Sequence, residues 1–197
     1  KGYALSVFNR TPEKALPLRE VGAALAASPK EAAKGADVVI LMLTGPEAVD
    51  QVLDGPQGVL AGLEPGKTIV NMSTVPPSYS RHVFERLKTR SIAAIDAPVY
   101  GSKTPAEDGA LVILAGGSQA KVKEMEPLLL SMGKKVVYCG EAGQGLFSSI
   151  GTCPAIASAT ADLPIDEKLS SPLCPQCLCG EPPGFRFTEG GERVGWP

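Results

Sequence analysis

An α/β fold built on a doubly wound, mostly parallel sheet is predicted by three observations. Short apolar runs alternate with helix-start signals from residue 3 to about residue 140. The run Asp37-Val38-Val39-Ile40-Leu41-Met42-Leu43 is continuous rather than alternating, as in a parallel strand buried on both faces. The spans between runs are helix-sized, which gives βαβ units rather than hairpins.

The elements follow in order. Residues 3–8 are a short apolar strand. Thr11 before Pro12 reads as N-cap and first helical position, opening a helix toward Glu20. Residues 22–27 form a weak, small-residue strand. Ser28-Pro29-Lys30-Glu31 has the spacing of a capping box, and its helix stops near Gly35. The buried run over 38–43 comes next. Pro46 opens a helix that Gly55-Pro56 ends, and residues 68–72 are another strand. Ser73-Thr74 ahead of Pro76-Pro77 starts a helix through Lys88, with Tyr79, Val83, Phe84 and Leu87 as its apolar stripe. Residues 92–95 are a strand that ends in Asp96 and a proline. A polar loop leads to the strand 111–115, then a helix over 118–132 and a closing strand over 136–138.

From residue 146 the character changes. Residues 146–197 hold four of the five cysteines, many prolines and glycines, and no sustained period. We expect a doubly wound α/β domain over 1–145. The 146–197 segment is expected to be an irregular tail, unrelated sequence joined to that domain rather than a segment that folds on binding. No hydrophobic signal region precedes Tyr3, and the chain reads as starting mid-domain.

Composition removes whole classes of function. A formal net charge of −2, no basic run and 5% aromatic residues argue against a nucleic-acid surface. The run over 38–43 is strand-sized, well short of the roughly 18 residues of a membrane span. Cys139 is the only cysteine before residue 150, which suits a reducing, cytoplasmic compartment.

Four segments carry the candidate chemistry. Loops at the carboxyl ends of strands are where an open α/β sheet binds small molecules. After the strand ending in Asp96, Gly101 allows close backbone approach, while Ser102 and Lys103 offer a hydroxyl, N–H groups and a positive charge. Those parts suit a small carboxylate, and a polar crossover loop is the equal alternative. The Asn9-Arg10-Thr11 segment follows the first strand and has Arg10 with no acid. An acid there hydrogen-bonds the ribose 2′-hydroxyl of NAD, whereas an arginine accommodates the 2′-phosphate of NADP. A capping turn with a solvated arginine is compatible with that role. Met42, Leu43 and Thr44 lie where adenine or pyrophosphate would pass, or form a plain strand-to-helix turn. Ser73 or Thr74 could cap the next helix and touch the cofactor ribose, with capping the safer reading.

Other features read as structural. His82 is a surface histidine. Cys174-Pro175-Gln176-Cys177-Leu178-Cys179 lacks the second ligand pair of a structural zinc site, so no metal is expected. Gly143-Gln144-Gly145 lacks the third glycine of a dinucleotide fingerprint.

Taken together, Gly101-Ser102-Lys103-Thr104-Pro105-Ala106-Glu107-Asp108-Gly109, Asn9-Arg10-Thr11, Asn71-Met72-Ser73-Thr74-Val75 and Gly140-Glu141-Ala142-Gly143-Gln144-Gly145 resemble the β-hydroxyacid dehydrogenase family over residues 1 to about 145. Glyoxylate and succinic semialdehyde reductases are the nearest subgroup, and 3-hydroxyisobutyrate dehydrogenases are relatives. The resemblance implies a Rossmann-type domain and NADPH-dependent reduction of a small aldehyde acid to a hydroxy acid, with homo-oligomerisation allowed. It assigns cofactor contact to Thr74, beside Asn9, Arg10, Thr11, Met42 and Leu43, and the substrate carboxylate pocket to Tyr100, Gly101 and Ser102.

Three departures accompany it. The family's opening strand and glycine-rich loop are expected to be missing, which would expose the edges of the two neighbouring strands. Tyr100 stands where the family usually has serine. The family's catalytic lysine, the proton donor, has no counterpart shortly after Gly145, because the next lysine is Lys168. Little activity is therefore expected of this chain alone. A non-catalytic dinucleotide-fold module, or an unstable truncated product, are the alternatives.

Overall fold

The computed structural model describes residues 2–147. The expected irregular tail lies outside those residues, apart from Leu146 and Phe147. The described residues form eight strands and seven α-helices in two sheets. Strands β1 (Ser6–Val7) and β2 (Ala24–Leu25) pair in parallel as a small separate sheet. The larger sheet runs in the order β3 (Val38–Leu41), β4 (Thr68–Asn71), β5 (Ala93–Asp96) and β7 (Leu111–Gly117). Strands β6 (Val99–Tyr100) and β8 (Gly133–Gly140) also pair with β7.

The β3–β4, β4–β5 and β7–β8 pairs are parallel, whereas β7 runs antiparallel to β5 and β6. Strands β5 and β6 behave as one bent strand against β7. Asp96 pairs with Gly116 and Val99 with Ile113, and between them the Leu114 N–H donates to Pro98 O at 3.0 Å, so the register never slips. Pro98 interrupts only the assignment, since it has a carbonyl to offer but no N–H.

Apolar side chains on the two faces of the sheet fill two cores, as a doubly wound fold requires. On one face α3 (Pro46–Leu53), α4 (Pro77–Lys88) and α7 (Gln144–Phe147) place Val49, Leu53, Val83, Leu87 and Leu146 against Leu41 and Ile69. On the other, α6 (Gln119–Leu129) brings Val122 and Leu129 to Val70, Ile95 and Ile113. All four residues of β4 and all seven of β7 are buried. The expected strand over 38–43 is different. Ile40 is 38% exposed and Met42 65% exposed, because β3 has a strand partner on one edge only among the described residues. Its continuous apolar composition anticipates burial on both faces; Leu41 and Val39 meet one core and Val38 the other, and the exposure goes with the edge that no described strand pairs.

Local signals account for most helix starts and for three corrections. The capping box is present: Ser28 Oγ accepts the Glu31 N–H at 3.1 Å. Glu31 reaches back to the Ala27 N–H at 2.7 Å, one residue earlier than the usual partner. Helix α2 (Pro29–Ala33) then ends ahead of Gly35, at φ +73°.

The expected helix from Pro12 to Glu20 is split into a 3-10 turn (Pro12–Lys14) and α1 (Leu16–Glu20). Pro17 has no N–H and its ring would strike the carbonyl four residues back, so a helix restarts there. Thr11 precedes the turn, but its side chain caps nothing; Asn9 Oδ1 instead accepts the Thr11 N–H at 2.9 Å. Helix α4 begins at Pro77 behind Pro76, so neither Ser73 nor Thr74 caps it. The polar loop after Gly101 contains a short helix, α5 (Lys103–Glu107).

Candidate cofactor and substrate site

The loops after β3 and β4 leave the carboxyl ends of adjacent parallel strands, so they emerge side by side on one edge of the sheet. Ser73 joins them. It is buried, and its Oγ accepts the Leu43 N–H at 2.9 Å while its own N–H donates to Asn71 Oδ1 at 3.1 Å. The Leu43 amide is thereby committed to the protein, and its half-buried side chain packs against the core. Met42 and Thr74 are exposed beside this junction. Ser73 is therefore a support for the neighbouring loop and not a surface contact.

Asn9, Arg10 and Thr11 are exposed at the end of β1, in the small sheet. Arg10 makes no ion pair with any described residue. The small sheet is linked to the larger body through α2, where the Lys30 N–H donates to Gln57 O at 2.9 Å. No hydrogen bond among the described residues joins the 9–11 segment to the Leu43–Ser73 junction. An open cleft of about 910 Å³ lies between Phe8, the start of α2 and the 57–64 segment, and holds none of the predicted site residues.

The predicted substrate segment is placed by β6. Tyr100 pairs with Val112, and its half-buried ring packs against Val112 and Leu114, beside Val137 and Cys139. Gly101 has φ +134°, and a Cβ there would lie 2.9 Å from Leu111 Cδ2 and 3.1 Å from Pro105 Cβ, so glycine is required twice over. Ser102 is exposed and its side chain makes no capping bond to α5. Lys103 faces Glu107 at 3.7 Å in an exposed pair. A hydroxyl and a flexible backbone turn are therefore presented to solvent at the end of a rigid strand, in the arrangement that suits a small anion.

One residue escaped the sequence reading. Asp96, at the end of β5, is completely buried, and its Oδ1 accepts the Gly143 N–H at 2.7 Å. Burial pushes its carboxyl above the ordinary value, and the amides of Gly143, Leu146 and Gly145 pull it part of the way back. Oδ2 closes no hydrogen bond of good geometry. The signal available in the sequence was an acid ending an apolar strand just before a proline.

Residues 1–140 match the family model described as the NAD binding domain of 6-phosphogluconate dehydrogenase. The chain belongs to this NAD-binding family. Within it the chain is similar to 3-hydroxyisobutyrate dehydrogenases and to glyoxylate/succinic semialdehyde reductases. It is 39% identical over 163 residues to a mitochondrial 3-hydroxyisobutyrate dehydrogenase-like protein (number 1) of Arabidopsis thaliana, covering 82% of this chain and 48% of the relative. It is 38% identical over 144 residues to the chloroplastic glyoxylate/succinic semialdehyde reductase 2 of the same plant, covering 73% of this chain and 40% of the relative.

The solved 3-hydroxyisobutyrate dehydrogenase of Mycobacterium tuberculosis with L-serine superposes with a TM-score of 0.72 at 30% identity, over 76% of this chain and 50% of that one. The chain spans about half the length of the curated relatives it matches. The expected family and the Rossmann-type fold are thus borne out, with residues 1–140 as an NAD(P)-binding domain. Among its described residues no helix is long and apolar enough to cross a membrane, and no three His, Cys, Asp or Glu side chains cluster.

Proposed function

We propose that this domain binds NADPH and belongs to the reduction of a small aldehyde acid, glyoxylate or succinic semialdehyde, to its hydroxy acid. The single observation that carries the NADP preference is Arg10: exposed after β1, unpaired with any described acid, and with no acidic neighbour in the Asn9-Arg10-Thr11 turn. A guanidinium in that position pairs with a 2′-phosphate and has nothing to gain from a bare 2′-hydroxyl.

The donor set fits the cofactor. Arg10, with Asn9 and Thr11, would hold the adenosine phosphate end. Met42 and Leu43 would lie along it, and Thr74 would offer its exposed hydroxyl at the edge that Ser73 fixes. NADPH supplies a hydride when bound. On the protein's side, Gly101 and Ser102 would hold the substrate carboxylate through a backbone N–H and a hydroxyl, with Tyr100 setting the wall behind them through its packing on β7 and β8. Exposed apolar side chains that flank the small sheet, Val21 after α1 at 80% and Tyr3 before β1 at 56%, favour association with a further surface, a second copy included. The cysteine usage fits a reducing compartment such as the cytosol.

Arg10→Ala tests this reading. A charge-assisted contact is worth about 1.5–3 kcal/mol, so NADPH affinity should fall roughly tenfold to a hundredfold while NADH affinity stays within about twofold. An unchanged NADPH affinity would remove the argument for NADP.

A second reading is favoured by one observation. Between Gly145 and Lys168 there is no lysine to serve as the proton donor that the resemblance implies. On that reading the chain is a dinucleotide-binding module without turnover. NADPH binding with no consumption of NADPH on either aldehyde acid would support it, and steady turnover by the purified chain would exclude it.

A further inference from the structure

Strand β5 ends in a buried carboxylate, and three separate facts about its surroundings converge. The Gly143 N–H donates to Asp96 Oδ1 at 2.7 Å across 47 positions of sequence. A Cβ on Gly116 would lie 2.7 Å from Asp96 Oδ2 and 2.9 Å from Oδ1, and one on Gly145 would lie 2.6 Å from Oδ2. Both glycines therefore leave room for this side chain and for backbone packed beside it, Leu114 O against Gly145 and the Gly145 amide against Gly116. Beyond it, α7 sends Leu146 into the core beside Val49 and Leu87, at 1% exposure. On its other side Asp96 lies in the unbroken β5–β6 ladder, two residues before Pro98 O accepts the Leu114 N–H and four before Tyr100.

We propose that Asp96 is a positioning residue, whose carboxylate pins the turn at 143–146 to the bent strand carrying Tyr100, Gly101 and Ser102, so that the candidate substrate segment and the start of α7 move as one body. The glycines of the Gly143-Gln144-Gly145 run are then explained without any dinucleotide fingerprint. Gly145 clears both the Leu114 carbonyl and the carboxylate, and Gly143, at φ +85°, turns its amide onto the carboxylate. A carboxylate is suited to this because it is an acceptor only: Oδ1 takes the Gly143 N–H, and the amides of Gly145 and Leu146 face the same group. An asparagine of the same shape turns one NH₂ toward those donors. The clamp rests on the proposed reductase only in calling the 100–102 segment a substrate segment.

Amide hydrogen exchange on the full chain, read residue by residue, tests the clamp without cofactor or turnover. In the wild-type chain the Gly143 amide, which belongs to no strand or helix ladder, exchanges at least tenfold more slowly than an exposed loop amide such as that of Arg10. In Asp96→Asn the amides of residues 143–146 and of Leu114 speed up together by tenfold or more, while Ile69 and Val70 in β4 are unchanged. Equal acceleration everywhere would make Asp96 a general stability residue and overturn the proposal, as would no change at 143–146. If Asp96→Asn yields no folded protein, the wild-type measurement decides alone, since unprotected exchange at Gly143 contradicts the clamp. Loss of NADPH binding with the exchange pattern intact would count against the proposed function and leave the clamp standing.

Discussion

Ser73 and Asp96 are buried polar side chains that each tie one loop to another part of the fold. Ser73 Oγ accepts the Leu43 N–H at 2.9 Å and sits 3.5 Å from Leu41 O, so one hydroxyl ties the end of β3 to the end of β4. Ser73→Ala strands that amide in a half-buried position. The expected cost is about 1–3 kcal/mol, read as a lower denaturant midpoint with an unchanged slope, together with weaker NADPH binding. Affinity falling with no loss of stability would mean that Ser73 contacts the cofactor directly.

Asp96 carries a pH signature of defined sign. Its carboxyl is raised in the folded state, so its contribution to stability is fully present below the unfolded carboxylate value and is lost as pH rises through the folded one. Relative to Asp96→Asn, the wild type should therefore gain stability as pH falls through that window. Urea unfolding of both chains at a series of pH values checks it, and a difference that is flat with pH would show that burial does not shift this group.

At the scale of elements, the alternation of strands and helices was legible because apolar runs and helix starts leave local marks. Ser28, Pro29 and Glu31 announce α2, and the Val38–Leu41 run announces β3. What stayed hidden depends on distant partners. Nothing near residue 99 reveals that β5 and β6 are one strand, because the register is set by β7, which follows them in the chain. The inward turn of Ser73 is equally silent, since the amide it accepts is 30 positions away. Arg10, Thr74 and Ser102 were legible as candidates from their places after strand ends. Asp96 was not, because an acid closing a strand reads as a turn residue until Gly143 is seen against it.

Helices α3 and α4 show the same long-range logic in polar form. The Tyr79 hydroxyl donates to Asp50 Oδ1 at 2.9 Å and lies 3.0 Å from Pro46 O, and Arg86 bridges Asp50 at 2.9 Å and Asp54 at 2.7 Å. Burial and the neighbouring Asp50 hold the Tyr79 phenol well above its ordinary value. Tyr79→Phe removes one hydrogen bond from a part-buried network that Arg86 still satisfies. It should cost about 0.5–1.5 kcal/mol by urea unfolding, and a loss of several kcal/mol would show that the hydroxyl organises the whole α3–α4 contact.

At the scale of the whole molecule, the described residues form a small parallel pair, β1–β2, and a six-stranded body, linked through α2. Arg10 belongs to the first part and Leu43, Ser73 and Thr74 to the second. Cofactor binding would therefore have to span both, and a ligand that binds only the native state stabilises it by mass action. The exposed Ile40 and Met42 lie on and just after β3, as expected of a strand with one neighbour among the described residues.

The most direct test of the account is calorimetric titration of the purified full chain with NADPH and, separately, with NADH. The account predicts saturable NADPH binding at one site, at least about tenfold tighter than NADH, with the preference abolished in Arg10→Ala. No saturable binding of either cofactor, or equal affinity for both, would contradict it.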